Sequence, residues 1–168
     1  MPTPIQPESM GSFVNNENDT LVLLDSVPMP APASTEPFVI ADEGRAILVY
    51  RIGPSNFHRF GPFARNEEPF CLVRFDGAVF QSLGPPNDEE LSHHVLHAKG
   101  LCCYGAYEVL NSTLVAEWWP DASRAIALSH FIFTFEDSSF ESVASTCEFA
   151  GVFATADIAR SEAFLRLR

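Results

Sequence analysis

The stretch that decides the fold runs from His130 to Ser145 and reads H-F-I-F-T-F-E-D-S-S-F-E-S-V-A-S. Apolar and polar residues alternate on both sides of a short acidic turn, the pattern of an antiparallel hairpin with one buried face. With Glu136-Asp137-Ser138-Ser139 as the loop, Phe135 is expected opposite Phe140, Thr134 opposite Glu141, Ile132 opposite Val143 and His130 opposite Ser145. The period of two then puts Phe131, Phe133, Phe135 and Phe140 on a core face. It puts His130, Ile132, Thr134, Glu141, Val143 and Ser145 on the other.

Further strands are expected on either side of this hairpin. Phe38-Val39-Ile40 and Ala46 to Tyr50 flank a turn at Asp42-Glu43-Gly44. Phe70 to Phe75 and Ala78 to Leu83 flank Asp76-Gly77, a strong hairpin signal because both residues tolerate positive φ. Tyr104 to Leu110 reads as another strand. Asn87 to Ala98 reads as a helix with Asn87 as N-cap, Leu91, His94, Val95 and Ala98 inward and Gly100 as the stop. A short helix is expected near Ser112 to Trp119, and a terminal one from Thr155. The fold class is therefore α+β: a mostly antiparallel, bent β-sheet built from hairpins with two or three short packed helices. Residues 1–36, punctuated by Pro2, Pro4, Pro7, Pro28, Pro30 and Pro32, read as an extended or partly disordered N-terminal segment before a single globular domain at 37–168. Within it Thr20-Leu21-Val22-Leu23-Leu24 is an apolar island, read as a strand docked on a sheet edge.

The 168 residues are 46% hydrophobic, with fifteen phenylalanines, enough for a core without disulfides or metals. Acids outnumber bases 22 to 10, a net charge of −12, which opposes binding to nucleic acid or anionic lipid and favours a basic protein partner or a cation. No apolar run reaches the roughly 20 residues of a membrane span, and no secretory leader is evident, so a cytoplasmic protein with reduced thiols is expected. The four cysteines, Cys71, Cys102, Cys103 and Cys147, lack paired zinc-ligand spacing, and the adjacent Cys102 and Cys103 are read as buried small hydrophobes.

Candidate chemistry centres on the polar line of the hairpin. His130 and Glu141 are the candidate catalytic pair, with Thr134, His58 and Arg74 as candidate ligand-binding residues. The plain structural account of the same line is a solvated sheet face. On the expected helix, His93 and His97 stand four apart with Glu89 one turn earlier, a candidate metal set against which stands a wet helix face with Glu–His pairs. No cofactor motif is present. The segment His130 to Glu141 resembles the hairpin of an uncharacterised group of bacterial proteins, approximately H-[FY]-x-F-T-F-H-D-S-T-F-E, with Glu136 where that pattern has His. Tyr104 to Ser112 is similar to the same group. The resemblance implies no activity, so no residue role follows from it. Two functional readings stand. The favoured one is a small acidic binding or regulatory domain, immunity- or inhibitor-like, acting on a basic protein. The alternative is a small enzyme or ligand-binding protein with an aromatic-lined pocket using His130 and Glu141.

Overall fold

The computed structural model describes residues 17–34, 36–121 and 126–168; Pro2, Pro4 and Pro7 of the expected N-terminal segment lie outside them. The strands are β1 (Thr20–Leu23), β2 (Phe38–Ala41), β3 (Arg45–Arg51), β4 (Phe70–Asp76), β5 (Phe80–Gly84), β6 (Ala106–Leu110), β7 (Ser129–Thr134), β8 (Ser139–Ala144) and β9 (Thr146–Phe153). The helices are α1 (Phe57–Phe60), α2 (Thr113–Trp118) and α3 (Ala156–Leu167). The strands form two antiparallel sheets, ordered β1-β6-β7-β8-β5 and β2-β3-β4-β9. The class is α+β, as the alternation in sequence implies. Among the described residues, no helix is long and apolar enough to cross a membrane.

The two sheets pack face to face over the phenylalanines. Phe131, Phe133, Phe135 and Phe140 from one sheet meet Leu48, Tyr50, Val73 and Phe75 from the other. Phe75 lies at the centre, with its ring 5.8 Å from Phe131, 5.8 Å from Phe133 and 5.2 Å from Phe140. The outer face of the four-stranded sheet is covered by α3. Ala159 and Ala163, both fully buried, let the helix approach Ile47, Val49 and Leu72 closely. The outer face of the five-stranded sheet is covered by the irregular segment around Leu91, Leu96 and Leu101.

The β7–β8 hairpin keeps its expected faces but shifts its register by two residues. His130 pairs with Val143, Ile132 with Glu141 and Phe133 with Phe140. The reason is a tighter turn: the Phe135 amide donates to the Ser138 carbonyl at 2.9 Å, which draws Ser138 toward the ladder and leaves Glu136-Asp137 as the loop. A slip of two preserves the pleat, whereas a slip of one would have exposed every phenylalanine.

The Asp76-Gly77 pair is a corner rather than a hairpin turn. β4 pairs with β3 and β9, whereas β5 pairs with β8 in the other sheet. The companion strand crosses at the same place, between β8 and β9, and the Ser145 amide donates to the Asp76 carbonyl at 2.9 Å. Gly77 has φ +63°, and a Cβ there would stand 2.4 Å from Ser145 Oγ, so the corner admits only glycine without rearrangement. One two-stranded ribbon thus bends from one sheet into the other.

Residues 17–34 pack into the body. β1 pairs with β6 along the sheet edge, Leu24, Val27 and Ala31 are buried, and Pro30 bridges Ile52. The buried Tyr50 hydroxyl donates to the Pro28 carbonyl at 2.6 Å. Tyr50→Phe leaves that carbonyl without its partner and is expected to lower stability by about 1–3 kcal/mol in urea unfolding; an unchanged midpoint would show the strap to be held by apolar contacts alone.

The expected helix at Asn87 to Ala98 is replaced by two 3-10 turns, Leu91–His93 and His97–Lys99. Asn87 Oδ1 does accept from the Glu90 amide at 2.9 Å, so the start signal is used. His94 then leaves helical backbone, at ψ 137°. The buried residues are Leu91, Leu96 and Leu101, a spacing of five that a 3.6-residue helix cannot keep on one face. Val95, expected inside, is exposed.

Candidate ligand-binding site

Where the 85–96 segment and the start of α2 meet the five-stranded sheet, they enclose a cavity of about 480 Å³. Its polar floor is built by three strand and loop side chains. β8 projects Glu141 away from the phenylalanine core. β7 projects His130 to the same side, and the extended backbone at His94 brings a second ring across from the covering segment. His94 Nε2 lies 2.9 Å from Glu141 Oε1, and His130 Nε2 lies 3.2 Å from Glu141 Oε2. One carboxylate therefore bridges two imidazoles.

The remaining ring nitrogens are also engaged. The Leu96 amide donates to His94 Nδ1 at 3.1 Å, which fixes that nitrogen as the acceptor and turns the Nε2 proton to Glu141. His130 Nδ1 lies 2.9 Å from Ser112 Oγ. Ser112 is the N-cap of α2 and accepts from the Val115 amide, so its hydroxyl proton is free to point at His130 Nδ1. In that arrangement the second Nε2 proton also faces Glu141. Burial raises the Glu141 carboxyl, but hydrogen bonds from His130 and His94 outweigh it and hold the group down at about 2. A carboxylate can accept about four hydrogen bonds, and the histidines take two. The group with unused capacity toward the cavity is thus Glu141, not either imidazole.

The rest of the lining is mixed. Phe80, Val95, Leu96 and Leu114 supply apolar surface. Asp19, beside β1, accepts from the Thr113 amide and the Thr113 hydroxyl, both at 2.8 Å, and so ties the N-terminal segment to α2 at the cavity wall. His93 and Glu90 also line it.

Of the residues singled out in the sequence, the structure brings His130 and Glu141 together. Thr134 shares their face but is committed elsewhere: it donates to the Cys102 carbonyl at 2.8 Å and accepts from the Gly105 amide at 2.9 Å. His58 is exposed on α1 and lines a separate cavity with Cys103 and Tyr104. Arg74 lies on the four-stranded sheet, paired with Asp76 at 2.8 Å and Glu148 at 3.0 Å. His93 and His97 occupy different 3-10 turns, so the shared helical face proposed for them with Glu89 does not exist. Among the described residues, no three His, Cys, Asp or Glu side chains are grouped to hold a metal ion. Burial pushes the Cys71 thiol up to about 12 and raises Cys147 as well, which makes both poor nucleophiles. Cys102 and Cys103, expected inside, are exposed, because the chain there turns through Tyr104 at φ 57° and leaves the sheet's apolar face to Leu101 and Tyr107.

Sequence reasoning missed three contributors. His94 reads locally as a packing residue, Ser112 as the start of a short helix and Asp19 as part of an extended segment. The available signal was indirect: a glutamate in a strand with a buried face requires partners, and only residues distant in sequence could supply them. The chain matches no family model, no curated protein and no solved structure in the three comparisons made.

Proposed function

We propose that the protein binds a small, largely apolar molecule in this cavity, with Glu141 as its polar anchor. The observation that carries the reading is a cavity of about 480 Å³ laid over a half-buried carboxylate held between His94 and His130. That volume falls in the range of roughly 300–1,000 Å³ typical of small-molecule sites, and an apolar lining with a few convergent polar groups is their usual composition. A perturbed, half-buried carboxylate at such a place supports a functional role over a merely structural one. Binding is favoured over turnover, since a carboxylate held at about 2 is a weak base near neutral pH and the histidine nitrogens are engaged. The reading of a basic protein partner rests on the net charge of −12 alone, without a built site, and takes second place.

The test is a titration with prodan, a neutral dye whose emission shifts to the blue in apolar surroundings. Saturable binding with one site is expected. Leu114→Trp places an indole in the cavity and is expected to weaken binding by about tenfold or more. Absence of a saturable signal, or equal binding by the Leu114 variant, overturns the assignment.

A further inference from the structure

The charge of the lining indicates what kind of head group the ligand carries. Among the described residues, three carboxylates border the cavity, Asp19, Glu90 and Glu141, and no lysine or arginine does. The titratable groups in contact with Glu141 are His94 on the covering segment and His130 on β7, and His93 also lines the cavity. Both near rings turn an N–H toward Glu141, so neither offers a donor to an incoming anion. A ligand carboxylate or phosphate would meet an ionised glutamate without a fixed positive partner, and burying such a charge unpaired is costly. A neutral hydroxyl would use one acceptor site of Glu141 and leave its charge uncompensated. A primary ammonium would do more: it donates to the unused lone pairs and neutralises the buried charge, and charge-assisted hydrogen bonds of this type are about twice as strong as neutral ones. Glu141 remains 23% exposed in its side chain, and it is a lining residue of the cavity, so the acceptor is accessible. Phe80, on the same wall, adds an aromatic surface suited to a cation. The net charge of −12 raises the local concentration of cations at the entrance.

From this geometry we infer that the ligand is a cationic amine with an apolar body, its ammonium group received by Glu141. The inference rests on the pocket reading above. Its test is displacement of prodan by three compounds of one shape, phenethylamine, phenethyl alcohol and phenylacetate. The amine is expected to bind at least about tenfold tighter than the alcohol, and the phenylacetate weakest of the three. Glu141→Gln should abolish the preference, the amine losing at least about tenfold relative to the alcohol. Because that variant also disturbs the histidines, Val95→Lys serves as a second probe. Val95 is exposed and lines the cavity, and a lysine there should weaken the amine and strengthen phenylacetate. If prodan binds but the three compounds compete equally, or phenylacetate competes best, the amine assignment is wrong and the pocket stands. If prodan itself does not bind, the pocket reading fails and the inference falls with it.

Discussion

Acidification from about pH 4.5 to about pH 2 is expected to remove about 3 kcal/mol of stability through Glu141 alone. In the unfolded chain this carboxyl titrates near its ordinary value of 4.5; in the folded protein it is held at about 2. Its folded value is the lower one, so the stabilisation is complete above about 4.5 and is lost as the pH falls toward about 2. Urea unfolding at a series of pH values measures it directly. Glu141→Gln should flatten the acid limb, because glutamine cannot titrate. Glu141→Leu should be worse than Glu141→Gln, costing about 2–5 kcal/mol, because it strands the N–H groups of the buried His130 and the half-buried His94. Parallel acid limbs for the wild-type protein and Glu141→Gln would show that the His94–Glu141–His130 array does not form in solution.

The second large effect belongs to the core. Phe75→Ala is expected to cost about 4 kcal/mol, since the ring is fully buried and touches three other phenylalanines across the inter-sheet space. The three rings around it all stand on the facing five-stranded sheet, which a continuous ribbon ties to the sheet of Phe75, so collapse into the void is restricted. Phe149→Ala, at a residue 36% exposed, should cost about 1 kcal/mol by the area it removes from water. Denaturant midpoints of the two variants decide the matter. Equal losses would show that the inter-sheet layer is not the stabilising centre.

Much of the fold was legible because alternation is a local signal. The phenylalanine face of β7 and β8 followed from period two, and the register slip left it intact. The short helix near Ser112 and the terminal one from Thr155 were legible for the same reason, since a hydroxyl at a helix start needs only residues within one turn. The Asp76-Gly77 corner was not, because a hairpin turn and a sheet-to-sheet bend both require positive φ at the glycine. What separates them is which distant strand pairs with each arm. The histidine segment failed for a related reason. Asn87, Glu90 and Gly100 carry true helix boundary signals, but burial of Leu91, Leu96 and Leu101 on the sheet overrode them. The site itself depends on His94 reaching Glu141 across 47 positions, a pairing that no local spacing announces.

The bent ribbon also bears on how the molecule reaches its native state. Its ladder joins Asp76 to Thr146, and the sheet edge joins Thr20 to Leu110, so the contacts that close both sheets span 70 and 90 positions. Chains dominated by such non-local pairings fold slowly, over about milliseconds to seconds, because loop-closure entropy must be met before the contacts form. The β7–β8 hairpin can form early from its own short turn, but its outward face gains a roof only when the 85–96 segment docks. Glu141 is therefore fully exposed to water through the early steps of folding and gives up most of that hydration only when the segment docks beside it.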